Sequence, residues 1–187
     1  MELIKKNILE LTHCSVAEYG AIPKLPLTLI ADNVRSAQNI GSMLRTADAF
    51  LIREMVMGGI SAVPPSAEIS KTALGAECSV AWRHVEDVFA EVARLKSLGM
   101  RIYVLEQTHN SVSLRDMKLP SPDEMPEGMA LVVGNEVKGV DQRIVDIADE
   151  ALEIPMHGTK HSLNVSVSAG IALWEFYRRL HGWICIV

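Results

Sequence analysis

The chain has 187 residues, enough for one domain with a sizeable core, and its balance of 49% hydrophobic to 22% charged residues is that of a folded protein rather than a disordered one. The net charge of -5 weighs against a surface built wholly for nucleic acid, although Arg and Lys can still gather around one cleft. No apolar run nears the ~18 residues of a membrane span, the amino-terminal stretch lacks the pattern of a secretory signal, and Cys14, Cys78 and Cys185, odd in number and far apart, fit reduced cytoplasmic thiols better than a disulfide framework or a zinc site.

In chain order, residues 2–20 read as a polar–apolar helical lead-in and residues 22–26, with two prolines, as a short extended linker. The apolar run 27–32 (LTLIAD) predicts a buried strand. A turn-rich NVRSAQ follows, and then residues 39–50 (NIGSMLRTADAF), where Ile40, Met43, Leu44, Ala47 and Phe50 recur at helical spacing. Residues 54–57 predict a short strand closed by Gly58-Gly59, residues 60–66 a loop around Pro64-Pro65, and residues 67–74 a short helix stopped by Gly75. A helix over 85–98 ends at Gly99. A strand at 101–105, a long proline-bearing connection at 106–127 and a strand at 129–133 (MALVV) come next. Beyond the loop GNEVKG, the pattern predicts a short helix over 140–148, a last strand over 152–154, a loop over 155–161 and a long helix over 164–180. Strands alternating with helices imply an α/β fold, a mostly parallel sheet with helices on both faces. Ligands in such sheets sit at the carboxyl ends of strands.

Three segments could carry chemistry. In NIGSMLR, a glycine inside a helix costs about 1 kcal/mol relative to alanine, so Gly41 implies the close approach of backbone or ligand. Arg45 could hold a phosphate through forked hydrogen bonds. The plainer alternative is a capping Asn39 and a surface Arg45. In GNEVKG, two glycines allow a tight loop that exposes backbone groups and projects Glu136 into the strand-end crevice; alone, it is equally a glycine turn with a solvated Glu. In IPMHGTKHSLN, Ser162 and Asn164 stand where a helix amino-terminus needs capping, and the same free N–H groups could meet a ligand. His157 and His161 lack the pattern of a zinc-binding helix, and Ser162 lacks the elbow of a hydrolase nucleophile.

Together and in this order, NIGSMLRTADAF, LVVGNEVKG and IPMHGTKHSLNVSVSAGIALWE resemble the three motifs of the SpoU (TrmH-like) branch of the SPOUT RNA 2′-O-ribose methyltransferases. The resemblance covers roughly residues 27–180. It implies a carboxyl-terminal trefoil knot, one of the rare exceptions to un-knotted chains, S-adenosylmethionine bound in that knot, and a homodimer that brings motif one of one subunit near the cofactor of the other. By position, Asn39, Arg45, Glu136, Ser162 and Asn164 correspond to the family's active-site residues. Leu105, Gly134, Ile154, Met156 and Leu163 correspond to its cofactor contacts, with adenine in an apolar slot walled by Leu105, Ile154 and Leu163. The implied reaction is methyl transfer to a ribose 2′-OH without a metal, on tRNA rather than rRNA. Arg35, Lys71, Lys138 and Lys160 are the candidates to face RNA phosphates beside Arg45.

The expected division is an amino-terminal lead-in, 1–26, and one methyltransferase domain, 27–187, with no separate amino-terminal RNA-binding domain. The chain departs from the family at Leu51, where a glycine often follows the motif-one helix. The alternative function is a non-catalytic knotted RNA-binding or assembly protein, which predicts the loss of at least one of the five active-site residues; all five are present. The related branch that methylates base nitrogens differs in the region of NIGSMLR, and a Rossmann methyltransferase would carry a glycine-rich loop after its first strand.

Overall fold

The computed structural model describes residues 3–7 and 14–180. Cys185, with the rest of the chain beyond residue 180, and positions 2 and 8–13 of the expected lead-in helix lie outside the described residues. In the described part of that lead-in, residues 3–7 have no regular structure and the helix is confined to α1, Val16–Ala21. Ser15 caps it in a reciprocal box with Glu18.

Among the described residues, seven strands form one sheet: β1 (Leu25–Asp32), β2 (Ile52–Gly58), β3 (Trp82–Val85), β4 (Arg101–Leu105), β5 (Val112–Ser113), β6 (Met129–Val133) and β7 (Glu150–Glu153). Their order across the sheet is β3-β2-β1-β6-β4-β7-β5, and every neighbouring pair is parallel. Among the described residues, six α-helices follow α1: α2 (Ala37–Ala49), α3 (Ala67–Ala73), α4 (Ala76–Ser79), α5 (Val88–Ser97), α6 (Gln142–Ile147) and α7 (Val165–Leu180).

The central strands read as unbroken apolar runs because both their faces are buried. Leu27, Leu29 and Ala31 of β1, Leu131 and Val133 of β6 and Tyr103 of β4 join the core that includes α2, α3 and α7. The alternate residues Ile30, Val132, Ala130, Ile102 and Val104 join the core under α5 and α6. Helices therefore cover both faces, as expected. Phe176 of α7 packs edge-on against Tyr103 at 5.4 Å between ring centres.

Several boundaries differ from the sequence expectations. β1 starts at Leu25, so part of the expected linker is strand. α2 starts at Ala37, because the Ser36 side chain accepts the N–H of Asn39 and caps the helix two positions earlier. β3, α4 and β5 appear where only a longer helix and connections were expected. Gly41 owes its place to α3: a Cβ there would lie 2.4 Å from the Ile69 carbonyl oxygen, so backbone rather than ligand makes the close approach. Leu51, standing where a glycine is common, adopts φ +55° and ends the helix as a glycine would. That left-handed conformation costs a non-glycine residue roughly 1–2 kcal/mol. It lets the Leu51 carbonyl accept the Leu25 N–H at 2.8 Å, which starts β1 beside β2.

Chain order reverses between β1 and β6: β2 and β3 lie to one side, β4, β7 and β5 to the other. The loops after β1 and β6 thus flank the crevice where parallel α/β sheets bind ligands.

Candidate active site at the carboxyl ends of the strands

The loop after β6 is the centre of the site. Asn135 folds it: its backbone pairs with Gly139 in both directions (3.0 and 2.9 Å), its Oδ1 accepts the N–H groups of Val137 and Lys138, and its Nδ2 donates to the Asn33 carbonyl at 2.8 Å. Gly134 is required because a Cβ there would lie 2.1 Å from the Gly139 carbonyl carbon, within the closed loop. Gly139 takes φ +69°, and Glu106, just after β4, occupies the space beside it. Glu106 Oε2 accepts the Val140 N–H at 3.0 Å and Oε1 the Gln107 N–H at 3.0 Å. Buried Asp32 accepts the Asp141 N–H at 2.9 Å. The far end of the loop is thus pinned by two carboxylates, Asp32 at the end of β1 and Glu106 just after β4.

Two cavities share this loop as a wall. The first, of about 640 Å³, lies between the loops after β6, β4 and β7 and the start of α7. Leu105, Gly134, Ile154, Met156 and Leu163 all line it, as do Glu136, Ser162 and Asn164. Gln107 Nε2 donates to the His161 carbonyl at 2.7 Å, joining the loop after β4 to the one after β7 across the cavity. The second cavity, of about 1150 Å³, lies at the β1/β6 crevice and is lined by Arg35, Asn39, Glu136 and Lys138, among others.

A directed hydrogen-bond chain crosses between them. Asn164 Oδ1 accepts the N–H groups of Ser166 (2.9 Å) and Val167 (3.4 Å), capping α7. Its Nδ2 is thereby turned outward and donates to Asn39 Oδ1 at 3.1 Å. The Asn39 amide then has only its own Nδ2 to offer onward, and it donates to Glu136 Oε1 at 3.0 Å. The helix cap sets the polarity of the whole chain, and a carboxylate, which accepts and does not donate, is the group that closes it.

Asn39, Glu136 and Asn164 are therefore brought together from three distant segments. Ser162 lines the first cavity together with Glu136 and Asn164. Arg45 does not: on α2 it stands about 9 Å along the axis and about 120° around it from Asn39, exposed on the surface. Lys71 lies on α3, ion-paired with Glu68 at 2.6 Å, and Lys160 is exposed in the loop before α7. The sequence reading missed Glu106, Gln107, Asp32 and Asn135. Asn135 stands inside the second motif, and the others directly end or follow strands.

Residues 26–174 match the SpoU rRNA methylase family. The chain belongs to that family. The SpoU assignment agrees with similarity to individual members. The tRNA (guanosine(18)-2′-O)-methyltransferase of Aquifex aeolicus is 35% identical over 156 residues, 82% of this chain and 69% of the relative. The 23S rRNA (guanosine-2′-O-)-methyltransferase RlmB of Neisseria meningitidis is 34% identical over 154 residues, 82% of this chain and 59% of the relative. The chain thus spans six to seven tenths of the length of these two curated relatives. The crystal structure of the Aquifex aeolicus TrmH/SpoU tRNA modifying enzyme superposes with a TM-score of 0.76 at 31% identity, covering 90% of this chain and 82% of that one.

Proposed function

We propose that this SpoU-family chain transfers a methyl group from S-adenosylmethionine to a ribose 2′-hydroxyl of RNA, tRNA being favoured over rRNA, and that it does so as a cytoplasmic homodimer. The observation that carries this function is the Asn164–Asn39–Glu136 chain at the border of two cavities. It joins all three motifs and leaves both cavities open beside it. The tRNA preference leans on coverage: the tRNA-modifying relative is matched over more of its length than the rRNA one.

The first cavity suits the cofactor. Its volume falls in the range of ligand pockets, roughly 300–1,000 Å³. Leu105, Ile154 and Leu163 would wall the adenine, while the Gly134 to Gly139 loop offers backbone groups and Glu136 a carboxylate. When bound, S-adenosylmethionine supplies an electrophilic methyl on a positive sulfonium that leaves as a neutral thioether. The chain's residues have three tasks. Asn39 and Asn164, locked by the capping geometry, hold Glu136 in one orientation at the edge of the acceptor site. Ser162 adds a hydroxyl on the same wall. The guanidinium of Arg45 is a forked donor with no acceptor, so its task is to fix a phosphate of the RNA next to the acceptor ribose. The anionic oxygen of that phosphate takes the hydroxyl proton as the new C–O bond forms. Much of the rate then comes from holding the two reacting groups in line.

A second copy supplies Arg45. Val167, Ile171 and Trp174 form an exposed apolar stripe along α7, with Trp174 half-exposed and stacked on Tyr177 at 5.8 Å. Asn164, Val165 and Ser168 at the start of the same helix line the cofactor cavity. α2 packs on α7, Thr46 meeting Gly170, so a copy docked on this face would cover the stripe and carry its own Arg45 toward the cavity. The Gln107–His161 tie supports a knot, since it fastens the loop after β4 to the segment that would thread it. Among the described residues no helix is long and apolar enough to cross a membrane, and Cys14 and Cys78 are free and exposed; both agree with the cytoplasm.

The test is cofactor binding by calorimetry, followed by transfer of labelled methyl to bulk tRNA and rRNA from a strain lacking this protein. Binding with transfer lost in Asn39→Ala is the expected result. A chain that neither binds the cofactor nor transfers methyl would move the function to the non-catalytic RNA-binding alternative.

A further inference from the structure

The second cavity is larger than the first and the cofactor does not need it. Its walls are fixed without a ligand: Asn33 Oδ1 accepts the Ile60 N–H at 3.1 Å, Asn135 Nδ2 reaches the Asn33 carbonyl, and Asp32 holds Asp141. Two aliphatic side chains in its lining are left in water, Ile60 at 64% exposure and Val137 at 90%. Val137 stands in the loop that separates the cavities, next to Glu136.

The charges are unequally matched. Asp32 accepts the Asn33 side-chain amide and the Asp141 N–H; Asp141 pairs with Arg143 at 2.7 Å; Glu136 accepts from Asn39. Among the described residues, no hydrogen bond or ion pair is seen for the side chains of Arg35 or Lys138. In a protein of net charge -5, this cavity therefore has its carboxylates satisfied and its cations free. A ligand with a flat apolar body and an anionic tether answers both features, and that is a nucleotide.

We infer that the second cavity receives the base of a single unpaired nucleotide, between Ile60 and Val137, with its flanking phosphates on Arg35 and Lys138. That the nucleotide belongs to an RNA rests on the methyl-transfer function proposed above. A paired and stacked base cannot enter such a cavity, so the acceptor is a loop nucleotide or one extruded from its helix. The shared wall then sets its ribose at the border where Asn39 and Glu136 meet.

Methyl-resolved NMR of the full-length protein tests this without needing turnover. The four 5′-nucleoside monophosphates are added singly at millimolar concentration, with ribose 5-phosphate and inorganic phosphate as controls. The Ile60 and Val137 methyl signals should move with at least one nucleotide, through the ring current of its base, and stay in place with both controls. Arg35→Gln should weaken that nucleotide about tenfold, as expected for losing a charge-assisted contact. No movement with any nucleotide, equal movement with ribose 5-phosphate, or movement of Leu105, Ile154 and Leu163 in place of Ile60 and Val137 would overturn the assignment. S-adenosylmethionine, added separately, should move Leu105, Ile154 and Leu163. If it does not, the cofactor assignment fails while the nucleotide result stands.

Discussion

Asn164 does two jobs that one substitution can separate. Its Oδ1 caps α7, and its Nδ2 feeds the chain to Asn39 and Glu136. In Asn164→Asp an oxygen still accepts the Ser166 and Val167 N–H groups, and Asp caps about as well as Asn, so stability should change by less than about 0.5 kcal/mol. The donor to Asn39 disappears, however, and the new carboxylate faces the Asn39 oxygen. Losing a net hydrogen bond and leaving its acceptor unsatisfied costs about 1–3 kcal/mol, which corresponds to roughly 5- to 150-fold in transfer rate if the chain positions the reacting groups. Asn164→Ala, by contrast, should lose the cap as well: about 1 kcal/mol and roughly 2–4 °C in Tm for a chain of this size. Thermal unfolding and single-turnover methyl transfer, measured on all three proteins, separate the effects. An Asn164→Asp enzyme of unchanged stability and unchanged rate would refute the positioning role; one as destabilised as Asn164→Ala would refute the capping geometry.

Glu106→Gln leaves an amide nitrogen facing either the Val140 or the Gln107 N–H, so the loop should loosen and S-adenosylmethionine affinity, by calorimetry, should drop by about 1–2 kcal/mol; unaltered affinity would mean that the clamp is not part of the site. Ile171→Glu puts a charge in the apolar stripe of α7 and should give a monomer in sedimentation that keeps cofactor binding but loses transfer, whereas a variant that stays dimeric would place the interface elsewhere. The Glu91 carboxyl is held below the usual range, first by the hydrogen bond from Arg94, against burial and with help from Arg83. A depressed folded value means stability that is present above the unfolded value of about 4.3 and lost as pH falls through the folded one. Glu91→Gln should therefore lie about 1–3 kcal/mol below the wild type at neutral pH, with the gap in thermal stability closing toward pH 3; a gap independent of pH would contradict the ion-pair origin.

The strands at the middle of the sheet were legible because burial on both faces writes them as unbroken apolar runs, as in LTLIAD and MALVV. β3 was not: its sequence, WRHV, lies at the sheet edge, and Arg83 reaches out to Glu54 and Glu91. α4 has four residues and β5 two, too short to show a period. The start of α2 was ambiguous because Ser36 and Asn39 are both capping types, and only the hydrogen bond between them decides it. Asn39, Glu136 and Asn164 could be picked from motif order, but not their linkage, which spans 97 and 125 positions. The role of Gly41 was half legible: close approach followed from a glycine in a helix, and its partner, the backbone of α3, did not. Glu106 and Asp32 gave no pattern at all, since each acts on a backbone N–H that folding brings to it from afar.

The central claim is the atom that is methylated, and alkaline hydrolysis of the labelled RNA product tests it most directly. Strand cleavage by base needs a free 2′-hydroxyl, so a methyl on that oxygen leaves its label in an alkali-resistant dinucleotide. The mechanism proposed for Asn39, Glu136, Asn164 and Arg45 predicts label in dinucleotides alone, abolished by Arg45→Ala. Label released in mononucleotides would mean that a base has been methylated, and would contradict ribose 2′-O transfer at this site.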